Sequence, residues 1–393
     1  MQNNKAQARP RVALILTGGG ARAAYQVGVL RALSELLPKD ACTPFPIICG
    51  TSAGSINATE LAVDAANFGH AVRRLMLVWK NFHVGHVYRA DMLGALRNSA
   101  RWMFTGLTGG RRLSSKPISL LDNTPLADLL RKFVDFSAIQ RSIDEGHLIA
   151  LSITCSGYTS GQSVTFYQGQ PDLQNWQRAR RIGLAMPIEI DHLLASSAMP
   201  FIFPPVRINR EYFGDGSMRQ IAPVSPALHL GADRLLVIGV GRQLQPNAER
   251  IQGGSYPTLA QIAGHALNSI FLDSLEVDLE RLQRINRTLE LIPADVRRQS
   301  GYPLRQVHFR VITPSEELEK IAAEFAQELP RTIRTLLSTV GGTRRSGSNL
   351  LSYLLFEKSY CRALIMLGYK DTMARKDDLL AFLGWGESST QNP

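Results

Sequence analysis

The chain has 393 residues, 45% of them hydrophobic and 20% charged, with a net charge of +11 at neutral pH. That length and apolar content suit a large buried core in one large domain or two, and no run of about 18 apolar residues marks a membrane-spanning helix. The basic excess is compatible with plain solubility, nucleic acid or an anionic membrane surface, but with no zinc-finger, helix-turn-helix or RNA-binding signature, nucleic acid is not an expected partner.

In chain order, Met1 to Pro10 is polar, is expected to be flexible and does not read as a signal peptide. Arg11 to Thr17 is a continuous apolar run and reads as a buried parallel strand. Gly18-Gly19-Gly20 breaks it, and Ala21 to Leu37 reads as a helix closed by Pro38. A second strand, Phe45 to Cys49, leads through Gly50-Thr51-Ser52-Ala53-Gly54 into a helix over Ala53 to Ala66. Strand–helix–strand–helix order implies a right-handed crossover and a parallel sheet. Leu75 to Pro117 reads as less regular, with basic residues interleaved among large apolar ones.

Leu148 to Thr154 is a further strand, turned by Ser156 to Gln162 into a hairpin partner at Val164 to Tyr167. Pro187 to Ser197 reads as helix. Val206 to Phe213 reads as two short strands about Asn209-Arg210, ending at Gly214-Asp215-Gly216-Ser217. Arg234 to Val240 is another buried strand. Helices then dominate: Leu259 to Leu291, a segment opened by Pro314 to Glu317, and an amphipathic stretch from Asn349 to Leu367. Val307 to Ile312 interrupts them as a strand, and Gly341 to Ser348 reads as the clearest flexible stretch. The four cysteines, Cys42, Cys49, Cys155 and Cys361, have neither metal nor redox spacing and fit a reducing cytoplasm.

Three constellations bear on chemistry. Gly50-x-Ser52-x-Gly54 between strand and helix has the spacing of a nucleophile elbow: a sharp turn strains the serine backbone and excludes side chains two positions either side. The hydroxyl is then left at a helix N-terminus, where developing negative charge is favoured. The bland reading is a tight turn with a helix-capping serine. Gly18-Gly19-Gly20-Ala21-Arg22 leaves backbone N–H groups uncovered, a nest for an anion or an oxyanion. Gly18-x-Gly20-x-x-Ala23 also fits a dinucleotide fingerprint, but Cys49-Gly50-Thr51 stands where that reading needs an acidic residue. Asp215-Gly216, at a strand end, suits either a solvated turn or a general base. A triad would require His229, His265 or His308, none with a flanking signature, and no histidine pair has metal spacing.

Together with Ala195-Ser196-Ser197-Ala198-Met199-Pro200 and Phe203-Pro204-Pro205, these blocks resemble the patatin-like phospholipase family, strongly from Arg11 to Val240 and loosely beyond. The resemblance implies a Ser–Asp dyad without histidine, cofactor or metal, acting on phospholipid or lysophospholipid esters. Carried over residue by residue, it makes Ser52 the nucleophile and Asp215 the base. Gly18, Gly19, Gly20 and Arg22 would shape the oxyanion site, with Gly50 and Gly54 as the elbow glycines. Ala23 stands where the family commonly has glycine, and Leu194 where it often has arginine.

The expected architecture is a three-layer α/β fold with a mostly parallel central sheet flanked by helices and a helical C-terminal extension. Residues 11–240 form the expected catalytic domain, and 241–393 are expected to pack on it. Arg97, Arg101, Trp102, Phe104, Arg111 and Arg112 are the expected peripheral contacts with an anionic membrane, at the inner face of a cytoplasmic setting. The competing functional readings are a catalytically weak membrane-associated scaffold and a nucleotide-binding protein that uses the glycine turn.

Overall fold

The computed structural model describes residues 10–89, 119–241, 258–270, 274–299, 305–339 and 348–385. Its centre is a 10-stranded sheet: β1 (Val12–Leu16), β2 (Ile47–Thr51), β3 (Ala150–Gly157), β4 (Ser163–Gly169), β5 (Trp176–Arg178), β6 (Arg181–Ala185), β7 (Val206–Ile208), β8 (Glu211–Asp215), β9 (Arg234–Ile238) and β10 (His308–Ile312). The main path is β10-β9-β1-β2-β3-β4-β6-β5, parallel from β10 to β3 and mixed beyond it.

The apolar run of β1 is continuous because both of its faces are covered. Leu14 and Leu16 face one core with α1 (Ala24–Leu36), α2 (Ala53–Val63), α3 (Phe68–Lys80) and the helix Lys358–Met373. Ala13 and Ile15 face a second core with Ala227, Leu275, Leu279 and Leu282. These are the three layers of the α/β architecture. α1 and Lys358–Met373 approach closely through reciprocal glycines: a Cβ on Gly28 would lie 2.1 Å from the Ile365 carbonyl oxygen, and one on Gly368 2.2 Å from that of Tyr25.

Several local expectations are corrected. Leu75 to Lys80 is not irregular but the end of α3, whose buried Phe68, Ala71, Val72, Leu75, Met76 and Trp79 follow a helical stripe. Asn67 caps it by accepting from the His70 N–H at 2.9 Å. The helix expected over Asn349 to Leu367 is two, Ser348–Leu354 and Lys358–Met373, without proline or glycine at the break. Leu355 and Phe356 are buried there, and the Glu357 carboxylate accepts from the Val84 N–H, so tertiary docking ends the first helix. The antiparallel β5–β6 pair, turned at a left-handed Arg180, carries no apolar alternation to announce it. Most of the N-terminal stretch expected to be flexible, and residues 341–347, lie outside the described residues.

Candidate active site

Ser52 sits where β2 turns into α2, at φ 54° and ψ −133°, a left-handed conformation that costs a non-glycine residue on the order of 1–3 kcal/mol. Its flanking glycines have steric causes. A Cβ on Gly50 would lie 2.5 Å from Ser55 Cα, and one on Gly54 2.4 Å from the Leu16 carbonyl oxygen. The Ser52 side chain makes no capping bond to its helix. Instead its Oγ donates to Asp215 Oδ2 at 2.6 Å.

The sheet explains how residues 163 positions apart meet. β2 runs parallel to β3 and ends with Thr51 opposite Thr154. β8 runs antiparallel to β3 and ends with Asp215 opposite Cys155, the next register position. Two strands thus arrive head to head along β3, and their terminal side chains converge. Asp215 is 1% exposed and Ser52 2%. Burial pushes the Asp215 carboxyl up to about 6, against the lowering effect of the Ser52 hydroxyl and the Ser217 N–H, which donates to Oδ1 at 2.9 Å. A carboxylate so placed can take the proton of a hydroxyl at hydrogen-bond distance.

Ser196 is a site residue whose role sequence reasoning missed. It is fully buried, accepts from the Ser52 backbone N–H at 2.9 Å and donates to the Thr154 carbonyl at 2.7 Å, tying the elbow to β3. Its only signal in the sequence was its place in the Ala195–Pro200 block. Gln220 adds a second tie, accepting from Thr51 Oγ1 at 2.9 Å.

The glycine turn closes the other side. Gly20 is at φ 54°, and a Cβ there would lie 2.3 Å from the Tyr353 carbonyl oxygen. Among the described residues none accepts a hydrogen bond from the amides of Gly18, Gly19 or Gly20. Arg22 differs from its expected place. Its guanidinium is 1% exposed and faces the C-terminal helices: Nε donates to Ser352 Oγ at 2.8 Å, and the group lies 4.1 Å from the Tyr353 ring centroid and 3.7 Å from Glu319. Its backbone N–H donates to the Gly19 carbonyl. The Arg22 guanidinium therefore ties the glycine turn to the C-terminal helices.

Ser52 and Gly20 open onto an apolar pocket. Ile56, Trp79, Phe82, Leu130, Phe203 and Phe356 are among its walls. The triad histidines lie elsewhere. His229 stacks on Trp176 with 4.8 Å between centroids and bonds to Ser225, while His265 and His308 are exposed. Among the described residues no cluster of three or more His, Cys, Asp or Glu side chains is placed to hold a metal, and no helix is long and apolar enough to cross a membrane. Arg97, Arg101, Trp102, Phe104, Arg111 and Arg112 lie outside the described residues.

A family model described as patatin-like phospholipase matches residues 14–228, which include the glycine turn, the elbow and Asp215. Among solved structures, the chain is similar to the human GIVD cytosolic phospholipase A2 in complex with methyl gamma-linolenyl fluorophosphonate. Identity is 14% and the TM-score 0.40, over 95% of this chain and 59% of that one, so the chain spans about three fifths of that protein's length. No curated protein matches the chain.

Proposed function

We propose, from the premise that the chain belongs to the patatin-like phospholipase family, that it is a serine acyl hydrolase releasing fatty acid from phospholipid or lysophospholipid. Asp215 takes the Ser52 proton as Oγ attacks the ester carbonyl. The amides of the glycine turn and of Ala53 hold the oxyanion. On collapse the Ser52–acyl bond remains, and the proton passes from Asp215 to the departing alkoxide. Asp215 then takes a proton from water, whose oxygen attacks the acyl carbon, and returns it to Ser52 Oγ as fatty acid leaves. The observation that carries this reading is the 2.6 Å contact of a strained serine with a buried carboxylate at an apolar pocket.

The test is a serine-directed fluorophosphonate, with the adduct located by peptide mass. Labelling is expected on Ser52 and should vanish, together with ester hydrolysis, in a folded Ser52→Ala variant. Hydrolysis undiminished in Ser52→Ala would defeat the reading.

Residues 11–240 and 241–393 are proposed to work as one unit. The support is that β10 extends the sheet, Arg22 is held by the later helices, and Phe356 lines the pocket beside Ser52. The basic, aromatic stretch from Arg97 to Arg112 is proposed to meet anionic lipid. Replacing Arg111 and Arg112 with glutamate should weaken binding to anionic liposomes in a salt-sensitive way.

A further inference from the structure

The apolar pocket follows one face of α2. Ser52, Ala53, Ile56 and Glu60 all line it, so it runs from the hydroxyl for about two helical turns. At about 1.5 Å per residue, the eight steps from Ser52 to Glu60 span about 12 Å. The far end is unlike the walls. Glu60 is 1% exposed, and its carboxylate meets Arg74 Nε from α3. The Arg74 guanidinium lies 4.7 Å from the ring centroid of Phe133, another lining residue, and donates to the Phe133 carbonyl. The Arg74 side chain is 33% exposed, so the clasp reaches from a buried lining residue toward water.

A buried ion pair seldom stabilises a fold more than apolar side chains of the same size. Burial also works against this one, pushing the Glu60 carboxyl up to about 7 even beside Arg74. We propose that Glu60 and Arg74 form the end stop of the acyl pocket and make the protein selective for medium-length acyl chains, of about eight to ten carbons at roughly 1.25 Å per extended carbon. The inference rests on the reading of Ser52 as the acyl-accepting nucleophile.

Up to the stop, each added methylene leaves water for an apolar wall and gains on the order of fourfold in kcat/KM. Past it, the chain must part an ion pair in a poorly solvated place or fold back on itself. Either removes the gain.

The experiment is the kcat/KM profile over detergent-dispersed p-nitrophenyl esters from butanoate to hexadecanoate, each protein normalised to its own rate on butanoate. The wild-type chain should peak at octanoate to decanoate and fall about tenfold by hexadecanoate. The double variant Glu60→Ala/Arg74→Ala should move the peak to dodecanoate or beyond. Glu60→Phe should move it to hexanoate or below, and keeps the inference testable if the double variant does not fold. A clasp that only braces the helices would lower all rates by one factor, and an unchanged profile in the folded variants overturns the inference. So does a wild-type peak at hexadecanoate, although the Ser52 reading survives it. No hydrolysis of any ester, with Ser52 unlabelled by fluorophosphonate, overturns the underlying reading and this inference with it.

Discussion

Two charged side chains of the candidate site, Arg22 and Asp215, are both 1% exposed. Arg22, on the C-terminal side, is answered on every face: Ser352, Asn268 and Asn349 accept from it, Tyr353 lies under it, and Glu319 balances its charge. Asp215, on the sheet side, receives a hydroxyl and an amide but pairs with no cation among the described residues. Equal burial therefore has opposite consequences. The satisfied charge holds two halves of the chain together, whereas the unbalanced one is left with its pKa moved toward the working pH range.

The comparison breaks most visibly at Asp215. Asp215→Asn should lower ester hydrolysis about a thousandfold while making the protein more stable above pH 6. The sign follows from the carboxyl standing at about 6 in the fold against an ordinary 3.8. The native state binds the proton more tightly than the unfolded chain. Stability is therefore lost as pH rises between those values, by on the order of 3 kcal/mol for about two units. Thermal melts of both proteins at pH 4.5 and 8 measure it: the variant's advantage should be present at pH 8 and small at pH 4.5.

Arg22→Met should show the reverse pattern, losing about 3 kcal/mol of stability because the Glu319 charge and several polar groups lose their partner. Ser52 labelling should persist in the folded fraction. Unchanged melting with abolished labelling would place Arg22 on the reactive side. A third measurement is the pH profile of kcat/KM. It should rise about tenfold per unit below pH 6 and level off above it, as Asp215 loses its proton. The smallest effect is expected at Ser196, where Ser196→Ala removes the acceptor of the Ser52 N–H. The cost should be about 1–2 kcal/mol in a denaturant titration, with a several-fold slower rate.

Much of this was legible locally. The doubly buried strands show as unbroken apolar runs, as in Val12–Leu16. The elbow is readable because steric exclusion acts within a few residues, so Gly50 and Gly54 sit at set distances from Ser52. α3 was also written in the sequence, in the helical stripe of Phe68, Ala71, Val72, Leu75, Met76 and Trp79. The break at Leu355–Glu357 was not, because no local residue type causes it.

What the sequence by itself determined were the units whose causes lie within one turn or one strand: β1, the glycine turn, the elbow, and the Asp-Gly strand end. Only the tertiary structure decided which ends meet. The head-to-head arrival of β2 and β8 depends on a strand register along β3. The fate of Arg22 depends on partners such as Ser352, 330 residues away. Neither leaves a short-range pattern, because register and docking are settled by burying whole faces at once rather than by any single residue's preference.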